Sequence, residues 1–123
     1  MNYVELNLGG KKRGAKFGIG FLRMATEGKK MSLDELFKRL ETSSLDNTFL
    51  VLDLLYYSLK YNSMRKKEEF DYEIDDISEW LDEQGGLNAP VTLEFLNALR
   101  KSLIVEDGNN EEGKPKPQKK VAK

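Results

Sequence analysis

The chain has no cysteine among its 123 residues. That removes a disulfide framework, a thiolate nucleophile and a zinc–thiolate site together. Histidine is absent as well, and with it the commonest general base and the commonest metal ligand. No uncharged apolar run reaches the roughly 18 residues of a membrane span, because Asp53 interrupts the greasiest stretch. The opening MNYVELNLGG has neither a basic start nor an apolar core of the roughly 7–15 residues that a secretory signal needs. These absences point to a soluble, intracellular protein without thiol or imidazole chemistry.

What is present organises itself around residues 45–61, LDNTFLVLDLLYYSLKY, in which 11 of 17 residues are apolar or aromatic. Asp46, Asp53 and Lys60 recur every seventh position, so on a helix they form one narrow stripe and the rest of the circumference is apolar. A helix of that kind sits inside a bundle with only a strip reaching water. A chain of this length makes one domain, and folding removes roughly two thirds of its unfolded surface from water. The domain is expected over 1–105. Residues 106–123, EDGNNEEGKPKPQKKVAK, carry no aromatic and almost no aliphatic residue. They cannot offset their ordering entropy and read as a disordered charged tail.

Before the central stretch, Tyr3–Leu8 alternates with period two, placing Val4, Leu6 and Leu8 on one face. Gly9-Gly10 is a hairpin dipeptide, and residues 11–17 would return, anchored by Phe17. Such a hairpin is marginal alone and needs helices over its apolar face. A short helix follows from Ile19 to Glu27, ended by Gly28. Ser32 and Glu35 have capping-box spacing, and Leu33, Leu36, Phe37 and Leu40 fall on one helical stripe, giving a helix from Leu33 to Glu41. Ser43-Ser44 connect it to the central helix, for which Asp46 is the expected cap.

Beyond the central helix, residues 62–69 read as a charged loop. Ile74, Ile77 and Leu81 then mark a helix with Trp80 beside its apolar stripe and Gly85-Gly86 at its end. Pro90 opens a last helix whose apolar side is Phe95, Leu96, Leu99 and Leu103. The fold class is α+β and mostly α, an N-terminal β-hairpin packed on a bundle of four to five helices.

Charge is uneven along the chain. Residues 1–30 hold seven Lys/Arg against two Glu, residues 31–105 eight against fifteen acids, and the last eighteen five against four. A basic head on an acidic body can steer a partner or favour self-association, subject to screening by salt. Lys11, Lys12, Arg13 and Lys16 on the hairpin are the candidate partner-binding residues. Phosphate backbone is one conceivable target, but no aromatic stacking platform lies among them and the body beyond is acidic, so nucleic acid is the less favoured partner.

Other motifs resolve into plain structure. LGGKKRGAKFGIG has the outer glycine spacing of a phosphate loop at Gly9 and Gly14, but Ala15-Lys16 stands where Lys-Ser/Thr is required. Gly18-Ile19-Gly20 lacks the third glycine of a dinucleotide fingerprint. The acidic run Asp71, Glu73, Asp75, Asp76, Glu79, Asp82 and Glu83 has no glycine at the position a calcium loop needs, and reads as a solvated helix face. Tyr56, Tyr57, Tyr61 and Trp80 read as core aromatics with their polar ends at the edge. No catalytic, metal or cofactor site is expected.

The order of these elements carries a resemblance. A glycine-turned hairpin leads through Phe17-Gly18-Ile19-Gly20-Phe21-Leu22 into a helix, and Met31-Ser32-Leu33-Asp34-Glu35-Leu36 opens the next. The run from Leu50 to Lys60 and then Ile77-Ser78-Glu79-Trp80-Leu81-Asp82 complete the pattern. Over about residues 3–104 this layout resembles the small tail assembly chaperones of long-tailed bacteriophages. The resemblance implies a non-enzymatic helical protein of the bacterial host cytoplasm, in an infected cell or a lysogen. Such a protein binds the long helical tape measure protein while tail tube subunits polymerise around it.

In many members of that family a ribosomal frameshift adds a C-terminal extension. The Lys-rich end, with Lys119-Lys120, is compatible with a linker to one. Two other readings stand beside the chaperone: a nucleic-acid-binding regulator of phage or mobile-element origin that uses the basic hairpin, and a structural tail or capsid adaptor.

Overall fold

In the computed structural model, residues 2–41 and 48–103 are described, and the expectations for the connection and cap at 43–46 and for the tail at 106–123 lie outside them. The hairpin forms as its alternation requires. Strands β1 (Tyr3–Leu8) and β2 (Lys11–Lys16) pair antiparallel, with Leu8 opposite Lys11 and Tyr3 opposite Lys16. A two-residue turn between right-twisted strands needs positive φ at both central positions. Gly9 and Gly10 supply it at 62° and 82°. Leu6, Leu8 and Ala15 are buried on one face. Phe17 follows β2 directly, and its N–H donates to the Asn2 carbonyl at 2.7 Å, extending the ladder by one pair.

Five helices follow among the described residues: α1 (Ile19–Lys29), α2 (Leu33–Glu41), α3 (Thr48–Lys66), α4 (Ile74–Glu83) and α5 (Pro90–Leu103), with a 3₁₀ turn at Gly86–Asn88 before α5. The fold is therefore α+β and mostly α, as its patterning indicates. Helix α1 buries Phe21 and Ala25 and packs Leu22 against the core, whereas Ile19 is 86% exposed. The helix also runs through Gly28 and ends at Lys30, which adopts the left-handed conformation at φ 56°. Helix α2 has the expected bounds. The Glu35 N–H donates to Ser32 Oγ at 3.1 Å, but the Glu35 carboxylate turns to Arg39 at 2.9 Å and leaves the reciprocal half of the box unmade.

Helix α3 spans 19 residues, about 28 Å at 1.5 Å per residue. It continues to Lys66, where a charged loop from residue 62 was expected, and Asn62 and Ser63 are buried residues of its last turns. Lys67 turns left-handed at φ 57°, and the Glu68 N–H returns to the Ser63 carbonyl at 2.9 Å. That is the helix-ending motif glycine usually serves. Leu50, Leu54, Leu55 and Leu59 bury α3's apolar side. Phe17 touches Phe21 edge-on with centroids 5.5 Å apart, and Phe95 lies 5.8 Å from Phe17. The hairpin exit, α1 and α5 thus share one aromatic centre, each ring pair contributing roughly 0.5–1.5 kcal/mol beyond apolar burial.

Candidate interaction surface

The four basic residues singled out on the hairpin do not stay together. Lys11 and Lys12 are exposed beside the turn, and Lys16 is half-buried at the other end of β2. Arg13 leaves the group. Its Nε donates to the Leu8 carbonyl at 2.7 Å, and its guanidinium lies 4.2 Å from the Trp80 ring centroid and 4.8 Å from that of Tyr72. A planar cation stacked on two rings and hydrogen-bonded to backbone fastens one element to another. Here it joins the hairpin to α4. Two further contacts hold the same joint. The Trp80 ring lies against Gly9, where a Cβ would come within 2.5 Å of it, and Gln84 Nε2 donates to the Asn7 carbonyl at 2.6 Å.

From this joint a row of aromatic rings runs back along the molecule. Trp80 meets Tyr72 at 5.1 Å between centroids, Tyr72 meets Phe70 at 4.3 Å, Phe70 meets Tyr56 at 5.5 Å, and Tyr56 meets Tyr57 at 5.6 Å. Lys60 Nζ covers the Tyr56 ring at 5.8 Å. All five rings are half-buried. The middle of the row comes from the extended stretch between α3 and α4, Glu69-Phe70-Asp71-Tyr72-Glu73. Its alternation turns the rings inward and leaves the three carboxylates exposed. Sequence reasoning missed Phe70 and Tyr72 and treated the preceding residues as a charged loop. The period-two pattern of aromatic and acid at 69–73 is the signal that would have found them.

Helix α4 continues the acidic border. Glu73 precedes its first turn, and the Glu73 N–H donates to Asp76 Oδ2 at 2.8 Å, a cap made by a carboxylate where the helix dipole favours one. Glu73, Asp76, Trp80 and Glu83 recur at helical spacing and occupy one side of α4. The adjoining side buries Ile77 and Leu81. Among the described residues no group of three or more carboxylates could hold a metal ion. The acidic run is a solvated face that edges the aromatic row.

At the far end of the row, α3 meets α1. Gly28 receives the Tyr57 hydroxyl end and Gly20 that of Tyr61, each so close that a Cβ there would overlap the ring. Lys29 pairs with Asp53 across the same seam, both side chains mostly buried at 30% and 21% exposure. Asp53, expected on a strip facing water, thus faces α1. Burial pushes the Tyr57 hydroxyl pKa up, and the neighbouring Asp53 carboxylate adds to the rise. Burial likewise raises Tyr72, against the opposing pull of Arg13. Both phenols are held neutral well into alkaline solution.

The surface offers rigid, half-exposed rings bordered by carboxylates on one side and by Arg13 and Lys60 at intervals. That combination suits contact with a peptide or helix carrying apolar and cationic side chains. Among the described residues no helix is long and apolar enough to cross a membrane. Compared with protein-family models, with curated proteins and with solved structures, the chain matches none.

Proposed function

We propose that this chain is a non-enzymatic tail assembly chaperone of a long-tailed bacteriophage. It binds the tape measure protein, and through it assists the tail tube protein, in the cytoplasm of the bacterial host. One observation carries the reading beyond the layout of hairpin and helices: the row Tyr57–Tyr56–Phe70–Tyr72–Trp80 remains half-exposed on a folded surface. A tape measure protein presents long apolar helix until the tube covers it. A fixed row of aromatics gives such a helix apolar area at low cost in side-chain entropy.

Co-expression with a long helical tape measure protein tests this, by pulldown at low salt and at about 0.5 M, where screening shortens to a few ångströms. The expected outcome is retention at both, with the partner kept soluble, and loss of retention in Phe70→Ala/Tyr72→Ala. Precipitation of the partner despite the bait would end the proposal. The nucleic-acid-regulator reading keeps one observation in its favour, since Lys11 and Lys12 stand exposed at the hairpin tip. It predicts capture of nucleic acid that falls steeply with salt. A structural adaptor would remain in purified virions, and a chaperone would be absent from them.

A further inference from the structure

We propose that the aromatic row and its acidic border are a docking site for the chain's own Lys114–Lys120 segment. The surface side of the argument is charge and shape. Residues 68–83 contain nine Asp/Glu and no Lys or Arg. Within them the exposed Glu69, Asp71 and Glu73 alternate with Phe70 and Tyr72, and Glu83 lies along the side of α4 that carries Trp80. Arg13 and Lys60, the cations beside the row, are already laid over ring faces. The net field of this strip is therefore strongly negative.

The segment side is complementary. Residues 114–123, KPKPQKKVAK, carry five lysines and no acid. Pro115 and Pro117 fix φ near −65° and bias the segment toward polyproline II, so docking costs less ordering entropy than for an ordinary chain. Proline-containing segments of this conformation dock on aromatic-lined grooves. Lys114 and Lys116 flank Pro115, and Lys116 also precedes Pro117, which sets lysines beside the prolines within reach of the bordering carboxylates.

Reach is sufficient. Helix α5 ends at Leu103, and the ten residues from 104 to 113 span at most roughly 33–36 Å. A domain of this size has a radius of gyration of about 13 Å, and α4 and α5 both pack against β1, so the strip lies on elements neighbouring the one from which the linker starts. Tethering raises the effective concentration of the segment to the order of millimolar, and a weak intrinsic contact becomes populated. The inference does not depend on the chaperone reading. If both hold, a partner that uses the same rings must first displace the segment.

The absence of cysteine makes a direct test simple. A nitroxide attached through Ala122→Cys in the full chain is the only thiol-linked label it can carry, and paramagnetic broadening is read on nitrogen-15 amides. Docking is expected to erase the Trp80 indole signal and the amides of residues 69–83 preferentially. In K114Q/K116Q/K119Q/K120Q, and in about 0.5 M salt, those signals should return. Uniform weak broadening over the whole surface overturns the proposal, as does a maximum elsewhere or broadening unchanged in the lysine variant. Broadening that persists when labelled nitrogen-14 chain is mixed with unlabelled nitrogen-15 chain also overturns it, since a second copy then supplies the segment. No partner protein is present, so failure here leaves the pulldown to judge the chaperone reading separately.

Discussion

Helix α3 uses the same side chain in two ways. Toward α1, Tyr57 and Tyr61 end against Gly20 and Gly28, where the facing helix has no side chain and the backbones close on the rings. Toward the stretch after α3, Tyr56 meets Phe70, which meets Tyr72 and then Trp80, so rings pack on rings and none is fully covered. The first arrangement specifies a helix register. The second leaves an aromatic surface. What differs is the opposite element: a helix emptied of Cβ atoms lets a tyrosine end against backbone, whereas an extended stretch of alternating acids and rings supplies only edges.

The largest expected effect sharpens the α1 side. Phe21→Ala removes a fully buried ring from α1 where it touches Phe17, and should cost about 3–5 kcal/mol by urea denaturation. That is a large share of a stability of roughly 5–15 kcal/mol. A comparable loss on the open side, from Phe70→Ala, would break the distinction; the half-buried ring is expected to cost less than half as much.

Next comes the register itself. Gly28→Ala in a helix ordinarily stabilises by roughly 1 kcal/mol. Here the new methyl would overlap the Tyr57 hydroxyl end, so a loss of about 1 kcal/mol is expected instead. In a Tyr57→Ala background, where the ring itself is gone, the same change should become neutral or stabilising. Additivity between the two substitutions would show that the seam is not closed by this contact.

On the open side, Arg13→Lys keeps the charge but not the planar stack on Trp80 and Tyr72. A loss of about 1 kcal/mol is expected, with a shift in Trp80 fluorescence. Lys11→Gln/Lys12→Gln at the exposed tip should change stability by less than about 0.5 kcal/mol. Any effect of that pair on binding then reports the tip as a contact rather than as part of the fold.

Alkaline pH addresses both sides at once. Tyr57 and Tyr72 have folded pKa values above the ordinary 10.0, chiefly through burial. The unfolded chain therefore loses these protons first, and their contribution to stability is complete below about pH 10 and declines as pH rises through the raised folded values. Urea midpoints should fall in that window, and tyrosinate absorbance should show two phenols titrating late. Tyr57→Phe and Tyr72→Phe should each remove one late phase.

Much of the fold was legible because it rests on period. Leu6 and Leu8 alternate into the core, Gly9-Gly10 closes the hairpin with positive φ, and α2 keeps the bounds its cap and stripe predict. The errors fall where distant residues override local signals. Gly28 reads as a helix stop, but α1 runs through it, and Tyr57 occupies the space a Cβ there would take. Asn62 and Ser63 read as loop, but both are buried, Asn62 against Gly14 of the hairpin, and the helix continues. Arg13 reads as one of a basic group until Tyr72 and Trp80, some 60 or more positions away, enclose it.

The candidate surface divides the same way. Its acidic border is visible in the charge of residues 68–83, but the row of rings draws on α3, the extended stretch and α4 at once, and no local window contains it. The sequence by itself determined the elements and which side of each is apolar, because side-chain periodicity is a property of neighbouring residues. Only the tertiary structure decided which rings end against glycine and which pack on other rings. That choice depends on the element placed opposite, and packing between distant segments has no local code.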